Sequence, residues 1–143
     1  METLIINTDG GSRGNPGPAA IGVVFSDSDG KVIHKYKECI GEGTNNEAEY
    51  RAIIQALKIL KRGDWVASGD NTVKDVLCRL DSQLVVEQVN GRWKVKKDHI
   101  AEFVAEIKEL LDGMDLNISF TYVPREKNKL ADELVNEALD EAV

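Results

Sequence analysis

Three strand-length apolar runs, residues 3–9, 19–26 and 31–40, follow one another with only short turns between them. No other feature constrains the chain as much. Turns of this length cannot carry a crossover, so the three segments are predicted to pair as antiparallel neighbours. The first turn is the glycine- and proline-rich run 10–18, and Asp29-Gly30 marks the second. The period then changes from two to 3.6. Ala52, Ile53, Ala56, Leu57 and Leu60 form one stripe of a helix over 47–62. Ile100, Phe103, Val104, Ile107 and Leu111 do the same for a helix over 98–111. Between them lie a polar, irregular connection (63–71), a strand (72–80) and a short helix (82–90). A fifth strand (116–123) and a last helix (128–142) complete the chain. The order βββαβααβα predicts an α/β domain over 1–143: a five-stranded mixed sheet, three strands antiparallel and the later ones parallel, flanked by helices.

Composition bounds the function. A chain of 143 residues with 42% hydrophobic content can bury the core of a single domain. No apolar stretch is long enough to span a bilayer, and the N-terminus has no basic segment leading into an apolar run. Cys39 and Cys78 lie in strand-like segments without Cys-x-x-Cys spacing, and are expected as buried free thiols of a cytoplasmic protein. The net charge of −7 argues against coating nucleic acid by bulk electrostatics. It leaves room for a local basic handle and for a carboxylate cluster that needs a cation. A monomer is expected.

Four carboxylates stand at telling places. Asp9 ends the first apolar strand. Glu49 heads the helical stripe of Ala52, Ile53, Ala56 and Leu60, where an unpaired charge would be costly, so it calls for a partner, most simply a metal ion. Its neighbour Glu47 is explained by a capping box with Thr44. Asp81 lies at a strand-to-helix junction, where it could serve as an N-cap or as part of a site at the carboxyl ends of strands. Asp132 lies beside the apolar edge of the last helix, a position that also suits a solvated charge.

Four blocks, "TDGGSRGNPGPAAIG", "TNNEAEYRAI", "DSQLVVEQVNG" and "VPREKNKLADELVNEAL", resemble the signature blocks of the ribonuclease H type 1 family, in order and over nearly the whole chain. The compact ending resembles short archaeal and bacterial members. The resemblance implies a metal-dependent endonuclease that hydrolyses the RNA strand of an RNA/DNA hybrid, leaving 5′-phosphate and 3′-hydroxyl ends. It places Asp9, Glu49, Asp81 and Asp132 as ligands of two Mg²⁺ ions, with Mn²⁺ as substitute. Asn15, Asn45, Asn46 and Gln83 fall at positions that contact the hybrid in its minor groove, and Thr44 with Asn15 at a pocket for a DNA phosphate. Gly10 and Gly11 are expected to let substrate approach closely, and Asn128 is counted among the substrate-binding positions.

The chain departs from the family at three places. Glu42 stands where many relatives carry a basic residue of the phosphate pocket. Only "GRWKVKK" remains of a longer basic element, so Trp93, Lys94, Lys96 and Lys97, beside Arg92, form a reduced substrate handle. Tyr122 occupies the place of a loop histidine, and Arg125 is its expected replacement; His34 and His99 read as structural. Two alternatives stay open: a relaxed nuclease that also cuts duplex RNA, and a catalytically weak hybrid-binding module. A phosphate-loop ATPase is excluded, since the glycine-rich run lacks a Gly-Lys-Ser/Thr ending.

Overall fold

A computed structural model describes residues 2–63, 65 and 72–142. The strands are β1 (Thr3–Ser12), β2 (Gly17–Asp27), β3 (Val32–Gly43), β4 (Asp75–Leu80) and β5 (Asn117–Tyr122). The helices are α1 (Asn45–Arg62), α2 (Gln83–Val89), α3 (Asp98–Asp112) and α4 (Lys129–Glu141). They form one sheet in the order β3-β2-β1-β4-β5. β1, β2 and β3 are antiparallel, whereas β4 runs parallel to β1 and β5 parallel to β4. The expected βββαβααβα order is thus what forms. No helix among the described residues is long and apolar enough to cross a membrane.

Alternation along the strands sends side chains to two helical layers. Leu4, Ile6, Val23 and Phe25 join Ile53, Leu57 and Leu60 of α1 in the main core. Each fully buried Leu or Ile there contributes about 1.5–3 kcal/mol relative to exposure. On the other face, Ala20 and Val24 pack against Ala131, Leu134 and Val135 of α4. Gly22 lies between them, and a Cβ there would stand 2.4 Å from the Ala131 carbonyl oxygen. The bare backbone lets α4 settle onto β2, which brings the adjacent Asp132 towards the end of the sheet. α1 begins with the expected capping box, Thr44 with Glu47, and ends at Gly63 in the left-handed region (φ 76°).

Several expectations need correction. β1 does not end at Asp9 but continues to Ser12, with Asp9 opposite Gly22, because a glycine pair can still complete a ladder. β4 begins at Asp75, three residues later than expected, after Lys74 and Asp75 donate backbone hydrogen bonds to Glu2. A short 3-10 turn, Arg125–Lys127, precedes α4. Cys78 is buried, but Cys39 is exposed on the edge strand β3, where its thiol donates to the Ala138 carbonyl at 2.9 Å. Most of the expected 63–71 connection lies outside the described residues; Trp65 within it packs on Phe25 with ring centroids 5.4 Å apart.

Candidate active site

The parallel pairing of β1 with β4 fixes the first two carboxylates. Asn7 is level with Arg79 in that register. Extending it by two residues sets Asp9 level with Asp81, side by side at the carboxyl end of the parallel strands, where ligand sites form in open α/β sheets. Asp81 is released from capping because Ser82 caps α2, its hydroxyl accepting from Val85 N at 3.3 Å. Glu49 comes from the first turns of α1, and Gly10 N donates to its Oε1 at 3.0 Å. The contact requires glycine: a Cβ at Gly10 would lie 2.3 Å from the Ala48 carbonyl group. Gly10 therefore serves the packing of β1 on α1, and the expected role for it, close approach of substrate, is not what the geometry demands.

Carboxylate oxygens of Asp9, Glu49 and Asp81 all lie within 4.8 Å of one another. Asp9 and Glu49 are each only 6% exposed. Burial, the largest cause, pushes the Asp9 carboxyl up to about 7; a hydrogen bond with Glu49 opposes it, and the charges of Asp81 and Asp132 add to it. Burial likewise holds Glu49 well above the usual carboxylate range, aided by its hydrogen bond and charge contact with Asp9. Asp81 is raised by burial, with a hydrogen bond from Asn128 opposing. Glu49 Oε2 is buried without a hydrogen-bond partner among the described residues. An all-oxygen donor set, an orphaned buried carboxylate oxygen and mutual repulsion together fit a hard divalent cation.

Asp132 sits at the rim rather than inside the trio. Its side chain is 30% exposed, and Arg125 Nη2 reaches its Oδ1 at 3.6 Å. Arg125 and Asp132 line a cleft of about 450 Å³ together with the three inner carboxylates. Tyr122, at the loop-histidine position, is exposed and not part of that lining.

A second groove, of about 520 Å³, adjoins the first. Asn15, Thr44, Asn45 and Asn46 form one wall, while Lys94, Lys96 and Lys97 form another. Asn45 and Asn46 line both cavities, so a continuous track leads from the carboxylates to the lysines. The amides are held from one side: Asn15 Oδ1 accepts from Asn45 N at 3.0 Å, and Asn45 Oδ1 from Ser12 N at 2.9 Å. Their NH₂ groups have no partner among the described residues and are oriented donors. Thr44 is spent on the capping box. Gly11, where a Cβ would meet nothing closer than 3.7 Å, lines the carboxylate cleft. Gln83 is exposed at the start of α2.

The basic segment divides. Arg92 is taken by Glu87, in two bonds of 2.7 Å. Trp93 is exposed and lines neither cavity. The lysine side is anchored through Gln88, whose Nε2 donates to Lys94 O at 3.2 Å and whose Oε1 accepts from the buried Tyr50 hydroxyl at 2.6 Å. Sequence reasoning missed Gln88; its spacing of five from Gln83 gave no signal. Glu42 stands on β3 opposite Pro18 and outside both cavities. His34 packs edge-on against Phe25, as expected of a structural residue. His99, also expected to be structural, instead lines the lysine groove. Asn128 differs most from expectation: it is 1% exposed, its amide committed to Thr8 and Asn7, which removes it from any surface a substrate could touch.

Residues 7–138 match a family model described as reverse transcriptase-like. The chain is 44% identical over 134 residues to ribonuclease HI of Halobacterium salinarum, spanning 94% of this chain and 63% of that protein. It is 41% identical over 140 residues to the bifunctional protein Rv2228c of Mycobacterium tuberculosis, spanning 97% of this chain and 36% of that one. It thus spans roughly a third to two thirds of the length of these relatives. Among solved structures it superimposes on LC11-RNase H1, crystallised in complex with an RNA/DNA hybrid, with a TM-score of 0.88 and 47% identity, covering 97% of this chain and 98% of that one.

Proposed function

This chain belongs to the ribonuclease H type 1 family, and from that premise we propose that it is an endonuclease cutting the RNA strand of RNA/DNA hybrids. The observation that carries the reading is the continuous track from a buried oxygen-only carboxylate cluster to a groove walled by asparagine amides and lysines. Asp9, Glu49, Asp81 and, from the rim, Asp132 would hold two Mg²⁺ ions, with Mn²⁺ able to substitute. When bound, these supply activation of the attacking water and positive charge for the leaving oxygen of an in-line displacement, giving 5′-phosphate and 3′-hydroxyl ends.

The chain's own groups account for the rest. The NH₂ groups of Asn15 and Asn45, with Asn46 in the same groove and Gln83 exposed outside it at the start of α2, can donate to 2′-hydroxyls and base edges in the wide minor groove of an A-like duplex. Lys94, Lys96 and Lys97 neutralise backbone phosphates further along the groove. Arg125 is permanently charged and cannot accept a proton at neutral pH. Placed beside Asp132 on the cleft rim, it can bind a phosphate oxygen of substrate or product. The free thiols of Cys39 and Cys78 suit a reducing, cytoplasmic setting, and a single sheet holding all five described strands suits a single-domain monomer.

One assay decides among the readings: labelled RNA/DNA hybrid, duplex RNA, duplex DNA and single-stranded RNA, each with Mg²⁺, Mn²⁺ or EDTA. The proposal expects metal-dependent cutting of the hybrid's RNA strand and none in EDTA. Comparable rates on duplex RNA would assign the relaxed activity instead. Binding without cutting in either metal would reduce the protein to a hybrid-binding module.

A further inference from the structure

We infer that Asn7 is a positioning residue for the carboxylate of Asp81, acting through the buried side chain of Asn128. The inference rests on the carboxylate cluster being the metal site. Two broken local rules point to it. Asn7 sits in the middle of β1, between Val24 of β2 and Arg79 of β4, although asparagine is depleted in strands. Asn128 directly precedes α4, where an asparagine side chain normally caps the helix and contributes about 1 kcal/mol. Here it makes no cap bond at all.

The two misplaced amides meet. Asn7 Nδ2 donates to Asn128 Oδ1 at 3.0 Å, and Asn128 Nδ2 donates to the Thr8 carbonyl at 2.9 Å. A primary amide carries two N–H donors, and the interaction of this side chain with the Asp81 carboxylate opposes the effect of burial there. Asn128 is 1% exposed, so little water is at hand to take any of these places. Its orientation is therefore decisive: a reversed amide would set Oδ1 against both the Thr8 carbonyl and the Asp81 carboxylate. The donor of Asn7 favours the productive orientation from the opposite edge. The backbone of Asn128 extends the effect, its N–H donating to Arg125 O at 2.9 Å and its carbonyl accepting from Asp132 N at 3.1 Å. Asn128 thus links, through its side chain, the strand of Asp9 with Asp81 and, through its backbone, the turn of Arg125 with the helix of Asp132.

The test compares Asn7→Asp and Asn7→Leu with the unaltered protein. Mn²⁺ binding is titrated calorimetrically without substrate, melting is followed in EDTA, and kcat and KM on the hybrid are measured at fixed Mg²⁺. An aspartate at position 7 only accepts, so it draws Asn128 Nδ2 towards itself and turns Oδ1 onto Asp81. Asn7→Asp is expected to weaken Mn²⁺ binding by about tenfold, in the range of outer-shell partners, and to lower kcat with KM within about twofold. A bare charge effect predicts the reverse, since an added negative charge near the cluster attracts the cation. Asn7→Leu, which removes the donor without reversing the amide, is expected to weaken binding measurably but less than Asn7→Asp. Mn²⁺ affinity at or above the original in Asn7→Asp overturns the inference. If that variant does not fold in EDTA, unchanged affinity in a folded Asn7→Leu overturns it equally. Failure of the unaltered protein to bind Mn²⁺ would remove the metal-site reading itself, and the inference with it.

Discussion

The two halves of the track are built by opposite means. The carboxylate end is made of side chains on regular elements or, for Asp81, at the junction of two, buried at Asp9 and Glu49 and braced by backbone and amide hydrogen bonds. The lysine end is exposed, carried on the segment between α2 and α3, and attached through the Gln88–Tyr50 relay and the packing of Val95 on the main core. Chemistry sensitive to fractions of an ångström sits where packing fixes it, whereas grip on a flexible polyanion sits where side chains remain free to adapt. Changes at the first end should therefore alter rate, proton linkage and metal binding. Changes at the second should alter affinity and its dependence on salt.

The largest effect is expected at the buried end. Asp9→Asn or Asp81→Asn should lower cleavage at least a hundredfold, about 2.7 kcal/mol of barrier, while melting in EDTA stays unchanged or rises, because each removes a charge from a self-repelling cluster. Single-turnover rates and a melting curve check both halves. Retention of more than about a tenth of the rate in either variant would break the assignment.

Next comes the rim. Arg125→Ala should lower turnover by roughly ten- to a hundredfold, about 1.4–2.7 kcal/mol, whereas Tyr122→Phe should change it little. A silent Arg125→Ala beside a crippled Tyr122→Phe, in steady-state and single-turnover assays, would reverse those roles. At the exposed end, replacing Lys94, Lys96 and Lys97 together by alanine should raise KM about five- to tenfold at low salt with kcat unchanged, and flatten the salt dependence of binding by a log–log slope of roughly two. KM measured across a salt series tests this; a kcat effect without a KM effect would erase the contrast between the two ends.

The smallest effect is on stability against pH. Asp9 is raised from 3.8 to about 7, so without metal the folded protein holds a proton that the unfolded chain releases. The stability this contributes is fully present below about pH 4 and is lost as pH rises towards 7. Melting temperature in EDTA should fall across that window by on the order of a few degrees. Millimolar Mg²⁺ should restore it increasingly towards pH 8, since the cation competes with the protons and binds only the folded cluster. Melting curves from pH 4 to 8, with Mg²⁺ and with a monovalent control, would show a pH-independent Mg²⁺ shift if the site were not this cluster.

Glu47 and Glu49 show what the sequence by itself determined and where it stopped. The spacing from Thr44 identified Glu47 as a capping partner, and hydrogen bonds with Thr44 indeed hold its carboxyl below the usual range. Helical phase placed Glu49 on the core side, and burial there raises it. Strand count, element order and the four carboxylates were legible because each rests on local periodicity or on quoted blocks. Contacts between distant segments were not. The extension of β1 to Ser12, the use of Gly10 and Gly22 for close helix packing, the Gln88–Tyr50 anchor and the inward turn of Asn128 all depend on sheet register and helix seating. Local sequence states which side chains a turn or strand can present. Only the packing of β1 against β4 and α4 decides which of them meet, because hydrogen bonds and charge contacts act over a few ångströms while Asn7 and Asn128 lie 121 residues apart.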